Sequence, residues 1–121
     1  MVKGTILLVD DERDLVKLVI NRLETEGYDV LAAYDGVQAL EKAKGHIDLI
    51  LLDIMMPGMD GLEVLRRLRV KEETRETPVI MFTALGATKT IFDAQAAGAT
   101  DYIIKPFKPE ELLSLIKKYV F

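Results

Sequence analysis

Asp53 closes an apolar run, Leu49-Ile50-Leu51-Leu52, and a second run, Ile6-Leu7-Leu8-Val9, ends in the acidic pair Asp10-Asp11. Two buried strands that end this way deliver three carboxylates to one small pocket. At ~4 Å and an effective dielectric of about 20, each like-charge pair costs roughly 4 kcal/mol. Such a pocket needs a cation. A hard divalent ion with oxygen ligands fits it, and Mg²⁺ keeps positions open for water and phosphate oxygens. The three acids therefore point to a metal-assisted phosphate chemistry.

The elements that must position them alternate along the chain. Five short apolar segments read as strands: Thr5 to Val9, Val30 to Tyr34, Leu49 to Leu52, Val79 to Phe82 and Tyr102 to Ile104. Their continuous hydrophobicity predicts a parallel sheet covered on both faces. Between them, Leu15, Leu18, Val19 and Leu23 fall at helical spacing, as do Leu62, Leu65 and Leu68, and later Leu112, Ile116 and Val120. A shorter helix after Asp35-Gly36 carries Val37, Leu40 and Ala43.

Gly27 and Gly98 stand where helix C-terminal caps are expected, Asp60 with Glu63 makes an acidic capping box, and Pro109 suits a first helical turn. The stretch Ala87 to Ala97 has Ile91 and Phe92 as its only large hydrophobes, so it should be the least firmly docked helix. Five β-α alternations predict a doubly wound α/β fold with right-handed crossovers, occupying residues 1–121 as one domain.

In such folds ligands bind beyond the carboxyl ends of the strands. Strand one delivers Asp10 and Asp11 there, strand three Asp53, strand four Thr83 and Ala84, and strand five leads to Lys105. Strand two offers only Ala33 and Tyr34, as befits an edge strand away from the pocket. Acid, acid, hydroxyl and ammonium thus meet at one end.

Composition narrows the field. A net charge of −4 argues against a nucleic-acid surface, and the absence of cysteine excludes disulfides and thiolate metal sites. No apolar run is long enough for a signal-peptide core or a membrane span, so a cytoplasmic protein without membrane contact is expected. A Gly-rich phosphate loop ending Gly-Lys-Ser/Thr is missing. Met55 stands where a dehalogenase-type phosphatase needs a second acid.

Leu8-Val9-Asp10-Asp11-Glu12, Leu52-Asp53-Ile54-Met55-Met56-Pro57-Gly58-Met59-Asp60-Gly61, Thr83-Ala84 and Gly98 through Phe107 together resemble a response-regulator receiver domain. This is the phosphoacceptor half of two-component signalling. The resemblance spans essentially the whole chain. It implies a flavodoxin-like (βα)5 receiver fold with a five-stranded parallel sheet of order 2-1-3-4-5. It implies a signalling domain rather than an enzyme, catalysing only its own phosphorylation and slow dephosphorylation.

The family pattern makes Asp53 the phosphoacceptor, supplied by a sensor histidine kinase, a phosphotransfer protein or a small donor such as acetyl phosphate. It assigns Mg²⁺ to Asp11 and Asp53 directly, to Asp10 through water and to the Met55 carbonyl. Thr83 and Lys105 contact phosphoryl oxygens, with the Lys105-Pro106 peptide cis. Thr83 and Tyr102 form the switch, Tyr102 turning inward from an exposed position as the least docked helix shifts. Apolar Met55 and Leu85 near the acceptor predict slow hydrolysis of the acyl phosphate.

Glu12, Arg13, Asp14 and Lys17 resemble the family's kinase-docking surface. Output passes to a downstream protein or an effector domain. Ala96, Thr100 and Glu110 depart from the charged pattern of the winged-helix regulators' dimer face. The alternative reading is a phosphorylation-independent interaction module on the same fold.

Overall fold

The computed structural model describes residues 2–84 and 88–120. Strands and helices alternate: β1 (Thr5–Val9), α1 (Arg13–Thr25), β2 (Asp29–Ala33), α2 (Gly36–Lys42), β3 (Leu49–Leu52), α3 (Gly61–Val70), β4 (Val79–Thr83), α4 (Thr88–Ala96), β5 (Asp101–Ile104) and α5 (Pro109–Tyr119). The strands form one sheet of order β2-β1-β3-β4-β5, parallel throughout, as the sequence predicts. The direction in which successive strands are added reverses between β1 and β3, where Val9 pairs with Leu52. The residues after that pair, Asp10 and Asp53, are therefore neighbours.

Successive side chains of a strand point to opposite faces, and the core divides accordingly. Leu7, Val9, Ile50, Leu52, Val79 and Met81 pack with Ala39 and Ala43 of the α2 segment, Val64, Leu65 and Leu68 of α3, and Ala94 of α4. Ile6, Leu8, Leu49, Leu51, Ile80 and Phe82 pack on the other side with Val16, Val19 and Leu23 of α1 and Leu112, Leu113 and Ile116 of α5. All three central strands are buried along their length, apart from the half-buried Thr5. Edge strand β2 is not: Asp29 and Leu31 are exposed, against the expectation that every strand is covered twice.

Two helical faces also differ from expectation. Leu18 is 68% exposed and Val16 takes its place in the core, because α1 is apolar enough to offer two phases and only one meets the sheet. Val37 of α2 is 69% exposed, while Gly36 and Ala39 face inward. The reason is proximity: a Cβ on Gly36 would come within 2.9 Å of both Met59 and Val64 side chains, so only small residues fit there. Helix α4 buries Ala94 alone, consistent with thin docking.

The expected glycine caps are present, but the Asp60–Glu63 box is only half formed, because the Glu63 carboxylate pairs with Arg66 and Arg67 one turn on. Gly27 and Gly98 have φ of +100° and +104°, a region that L side chains avoid. The Asp60 carboxylate accepts the Glu63 amide, and Glu111 accepts the Lys108 amide ahead of Pro109. One anchor has no motif of its own: Arg69 of α3 donates to the carbonyls of Gly98, Thr74 and Thr77 at 2.7–2.9 Å. It fastens the end of α3 to the turns that enter β4 and β5.

Gly61 governs how closely α3 follows β3. Its amide donates to the Ile54 carbonyl at 2.9 Å, and a Cβ there would lie 2.0 Å from the Asp53 carbonyl oxygen. Gly61→Ala is expected to cost ~1–3 kcal/mol through backbone displacement, read as a lower urea midpoint at unchanged slope. A wild-type midpoint would show that the segment has room for a methyl group.

Candidate functional site

Each sequence-expected residue arrives at the carboxyl edge of the sheet for a local reason. The Asp10 amide donates to the Ala33 carbonyl and the Asp53 amide to the Val9 carbonyl, so both acids stay in ladder geometry one step beyond their strands. Thr83 ends β4, fully buried, and its carbonyl accepts the Lys105 amide. The Lys105-Pro106 peptide is cis.

Asp10, Asp11 and Asp53 each offer a carboxylate oxygen within 4.8 Å of the others. Asp10 is buried completely and Asp53 nearly so, while Asp11 is exposed at the mouth. The donor set is all oxygen and multiply anionic, which suits a hard divalent cation. Lys105 balances part of this charge. Its Nζ lies 2.6 Å from Asp10 Oδ2, 3.5 Å from Asp53 Oδ2 and 3.3 Å from Glu12 Oε1. Its stem runs beside Phe82, with Nζ 4.9 Å from the ring centroid. Backbone amides add support: Glu12 donates to Asp10 Oδ1 and Met55 to Asp53 Oδ1.

Electrostatics follow from burial. Burial pushes the Asp10 carboxyl above its ordinary range, and hydrogen bonds from Lys105 and the Glu12 amide offset this only partly. Burial would lower the Lys105 ammonium, but the hydrogen bond to Asp10 and the charges of Asp10, Asp53 and Glu12 outweigh it and leave its pKa raised. A raised lysine pKa means that its stabilising contribution is present at neutral pH and is lost as pH rises through the folded value. Asp10 has the same pH slope from a different cause: the fold penalises its ionised form, and that penalty is relieved as pH falls through and below its raised pKa.

A cavity of about 270 Å³ opens over these groups, lined by Asp11, Glu12, Asp53, Met55, Thr83, Ala84 and Lys105. Met55 is exposed at its rim. Leu85, its expected apolar companion, lies outside the described residues. Tyr102 is half-buried rather than exposed and packs against the core cluster of α2, α3 and α4. Burial, with the Asp53 charge, raises its phenol pKa. A second cavity of about 530 Å³ runs between α1 and α5; Leu15, Leu18, Phe107 and Leu112 line it, and it shares Glu12, Ala84 and Lys105 with the first.

The three aspartates, the threonine and the lysine expected from the sequence all meet here. Sequence reasoning missed the Glu12 contact to Lys105, for which spacing gave no signal, and the steric role of Gly61, which its place beside Asp60 could have suggested.

The model of the response regulator receiver domain family matches residues 6–117. The transcriptional regulatory protein CpxR of Escherichia coli is 46% identical over 112 residues, which make up 93% of this chain and 47% of that protein. The Vibrio cholerae chemotaxis protein CheY4 superposes with a TM-score of 0.92 at 35% identity, covering 97% of this chain and 98% of that one. The receiver domain of the Pseudomonas aeruginosa sensor histidine kinase PA1611, solved with a magnesium ion coordinated in its active-site cleft, gives 0.88 at 33% identity, covering 96% of each chain. The chain spans about half the length of the curated relatives it matches. Several of these are transcriptional regulators by name and one is described as DNA-binding, so the expected absence of a nucleic-acid partner finds no support in them.

The crowding of carboxylates sets one expected outcome. Mg²⁺ at about ten times its dissociation constant should stabilise the fold by ~1.4 kcal/mol, measured as a shift in urea midpoint that chelation reverses and Asp53→Asn reduces. An unmoved midpoint with saturating Mg²⁺ would show that the three acids do not take the ion.

Proposed function

The chain belongs to the response-regulator receiver domain family, and on that footing we propose that Asp53 is its phosphoacceptor. A receiver is a signalling domain of two-component systems, and the family role is to accept a phosphoryl group. The observation that carries the finer reading is the gathering of Asp10, Asp11 and Asp53 within 4.8 Å, with an ammonium 3.5 Å from Asp53.

Asp11, Asp53 and the Met55 carbonyl would hold Mg²⁺ directly, and Asp10 through water. When bound, the ion supplies positive charge beside the acceptor and the incoming phosphoryl oxygens. The chain's own groups do the rest. An Asp53 carboxylate oxygen attacks phosphorus while the bond to the donor nitrogen or oxygen breaks, leaving its electron pair on the donor. The carboxylate is a modest nucleophile, so rate comes from positioning and neutralisation. Lys105 meets one spreading negative charge as a flexible point cation. Thr83, buried beside it, donates to another oxygen.

The donor is proposed to be a sensor histidine kinase or a phosphotransfer protein, seated on the start of α1 and the groove between α1 and α5. Exposed Leu18 lines that groove and supports this placement. For output, phosphorylation draws Thr83 toward Asp53 and biases Tyr102 and the thinly packed α4. Moving such an equilibrium from about 1:99 to 99:1 takes roughly 5.5 kcal/mol, within reach of a few charge-assisted hydrogen bonds of ~1.5–3 kcal/mol each. The downstream partner is another protein or an effector domain.

Three measurements test this. Acetyl phosphate with Mg²⁺ should label the wild type and not Asp53→Asn, and the labelled Met55→Asn variant should lose its phosphoryl group faster than the slowly hydrolysing wild type. Undiminished labelling of Asp53→Asn moves the acceptor elsewhere. Crystal structures with and without a phosphate mimic should show different Tyr102 rotamers; one shared rotamer removes Tyr102 from the switch.

A further inference from the structure

One carboxylate at Lys105 has no part in the metal and phosphoryl roles just described. Glu12 caps α1 with φ −82° and ψ 94°, and its amide is fixed to Asp10 Oδ1 at 2.9 Å. Its side chain, however, makes no capping hydrogen bond. Asp, Asn and Ser are the usual residues at such a position because their short side chains reach the orphan amides. Here the longer carboxylate crosses to Lys105 Nζ at 3.3 Å, bridging 93 residues of chain.

An ammonium has three donors, and three acids surround this one. Asp10 holds it from inside at 2.6 Å, Asp53 lies at 3.5 Å, and Glu12 covers the outer side. The first two are buried, whereas the Glu12 side chain is 64% exposed. Glu12 also lines both cavities, so it stands at the mouth through which a donor approaches Asp53.

We infer that Glu12 is a positioning residue that sets donor preference: its carboxylate occupies the outward side of Lys105 and must yield that place to a phosphoryl oxygen. The inference rests on the reading of Asp53 as acceptor. Glu12 makes and breaks no covalent bond. It keeps the ammonium aimed at the site while the site is empty of phosphate, and it repels small donors in proportion to their negative charge. A dianionic donor therefore meets a larger barrier than a monoanionic one. Because Glu12 is exposed, added salt screens the repulsion.

Glu12→Gln keeps the shape and removes the charge. With Mg²⁺ at low ionic strength, this variant should be labelled by acetyl phosphate about three- to ten-fold faster than wild type, the scale of one partly exposed charge beside an anion site. The gain should shrink as salt is raised and be smaller with phosphoramidate, which carries less negative charge at neutral pH. A purely structural role would move neither the salt dependence nor the donor ratio.

Equal rates for both proteins, or a gain indifferent to salt and donor charge, overturn the inference. Inorganic phosphate binding in the presence of Mg²⁺, followed by the amide resonances of Met55 and Thr83, supplies a readout that needs no phosphotransfer. Glu12→Gln should bind it about three-fold or more tightly than wild type, and equal affinities count against Glu12. Should neither protein label, the acceptor assignment fails, and the phosphate titration still decides the role of Glu12.

Discussion

The contact between Lys105 and Asp10, 2.6 Å long and almost wholly removed from water, is what allows three aspartates to share the end of this sheet. A buried carboxylate without a partner is strongly penalised, and the ionised form of Asp10 is disfavoured even with the lysine in place. The ammonium offsets one charge and leaves the cluster net negative. A remaining negative charge among oxygen donors is the kind of site that suits a hard divalent cation. An ammonium held beside it is the kind of group that suits an anionic oxygen. Both features, a net negative cluster and an inward-held ammonium, come from one arrangement of side chains.

Topology provides the convergence. Because β1 and β3 are neighbours, two acids some forty residues apart leave the sheet side by side. Adjacent β4 and β5 bring a hydroxyl and an ammonium to the same edge. Rigidity is needed there, since like charges would otherwise spread apart. Fully buried central strands supply it on one side, and Gly61 on the other lets α3 begin directly against the Asp53 carbonyl.

Packing is uneven in a way that suits a signalling domain. Helices α1, α3 and α5 each bury several large apolar side chains, whereas α4 buries a single alanine and leaves Phe92 exposed. Helices with little buried apolar area are the ones that move at low cost. Arg69 holds the far end of the same region by its bond to the Gly98 carbonyl. A helix fixed at its C-terminal turn and thinly packed along its length can shift at the carboxyl edge of the sheet without disturbing the core.

Continuous apolar runs, glycine and proline punctuation and acids at strand ends determined from the amino-acid order alone the strand count, the parallel sheet and the arrival of Asp10, Asp11, Asp53, Thr83 and Lys105 at one edge of it. These are local signals: a run of Leu-Ile-Leu-Leu is legible because burial on both faces demands it. Helical phase was less legible. Leu18 is at least as hydrophobic as Val16, and Val37 more so than Gly36 and Ala39, yet the sheet behind α1 and the closeness of Met59 and Val64 to Gly36 decided which faced inward. The Glu12–Lys105 contact, the Arg69 anchor and the half-buried place of Tyr102 belong wholly to the tertiary structure. Each joins segments far apart along the chain, at distances that no spacing in the sequence encodes.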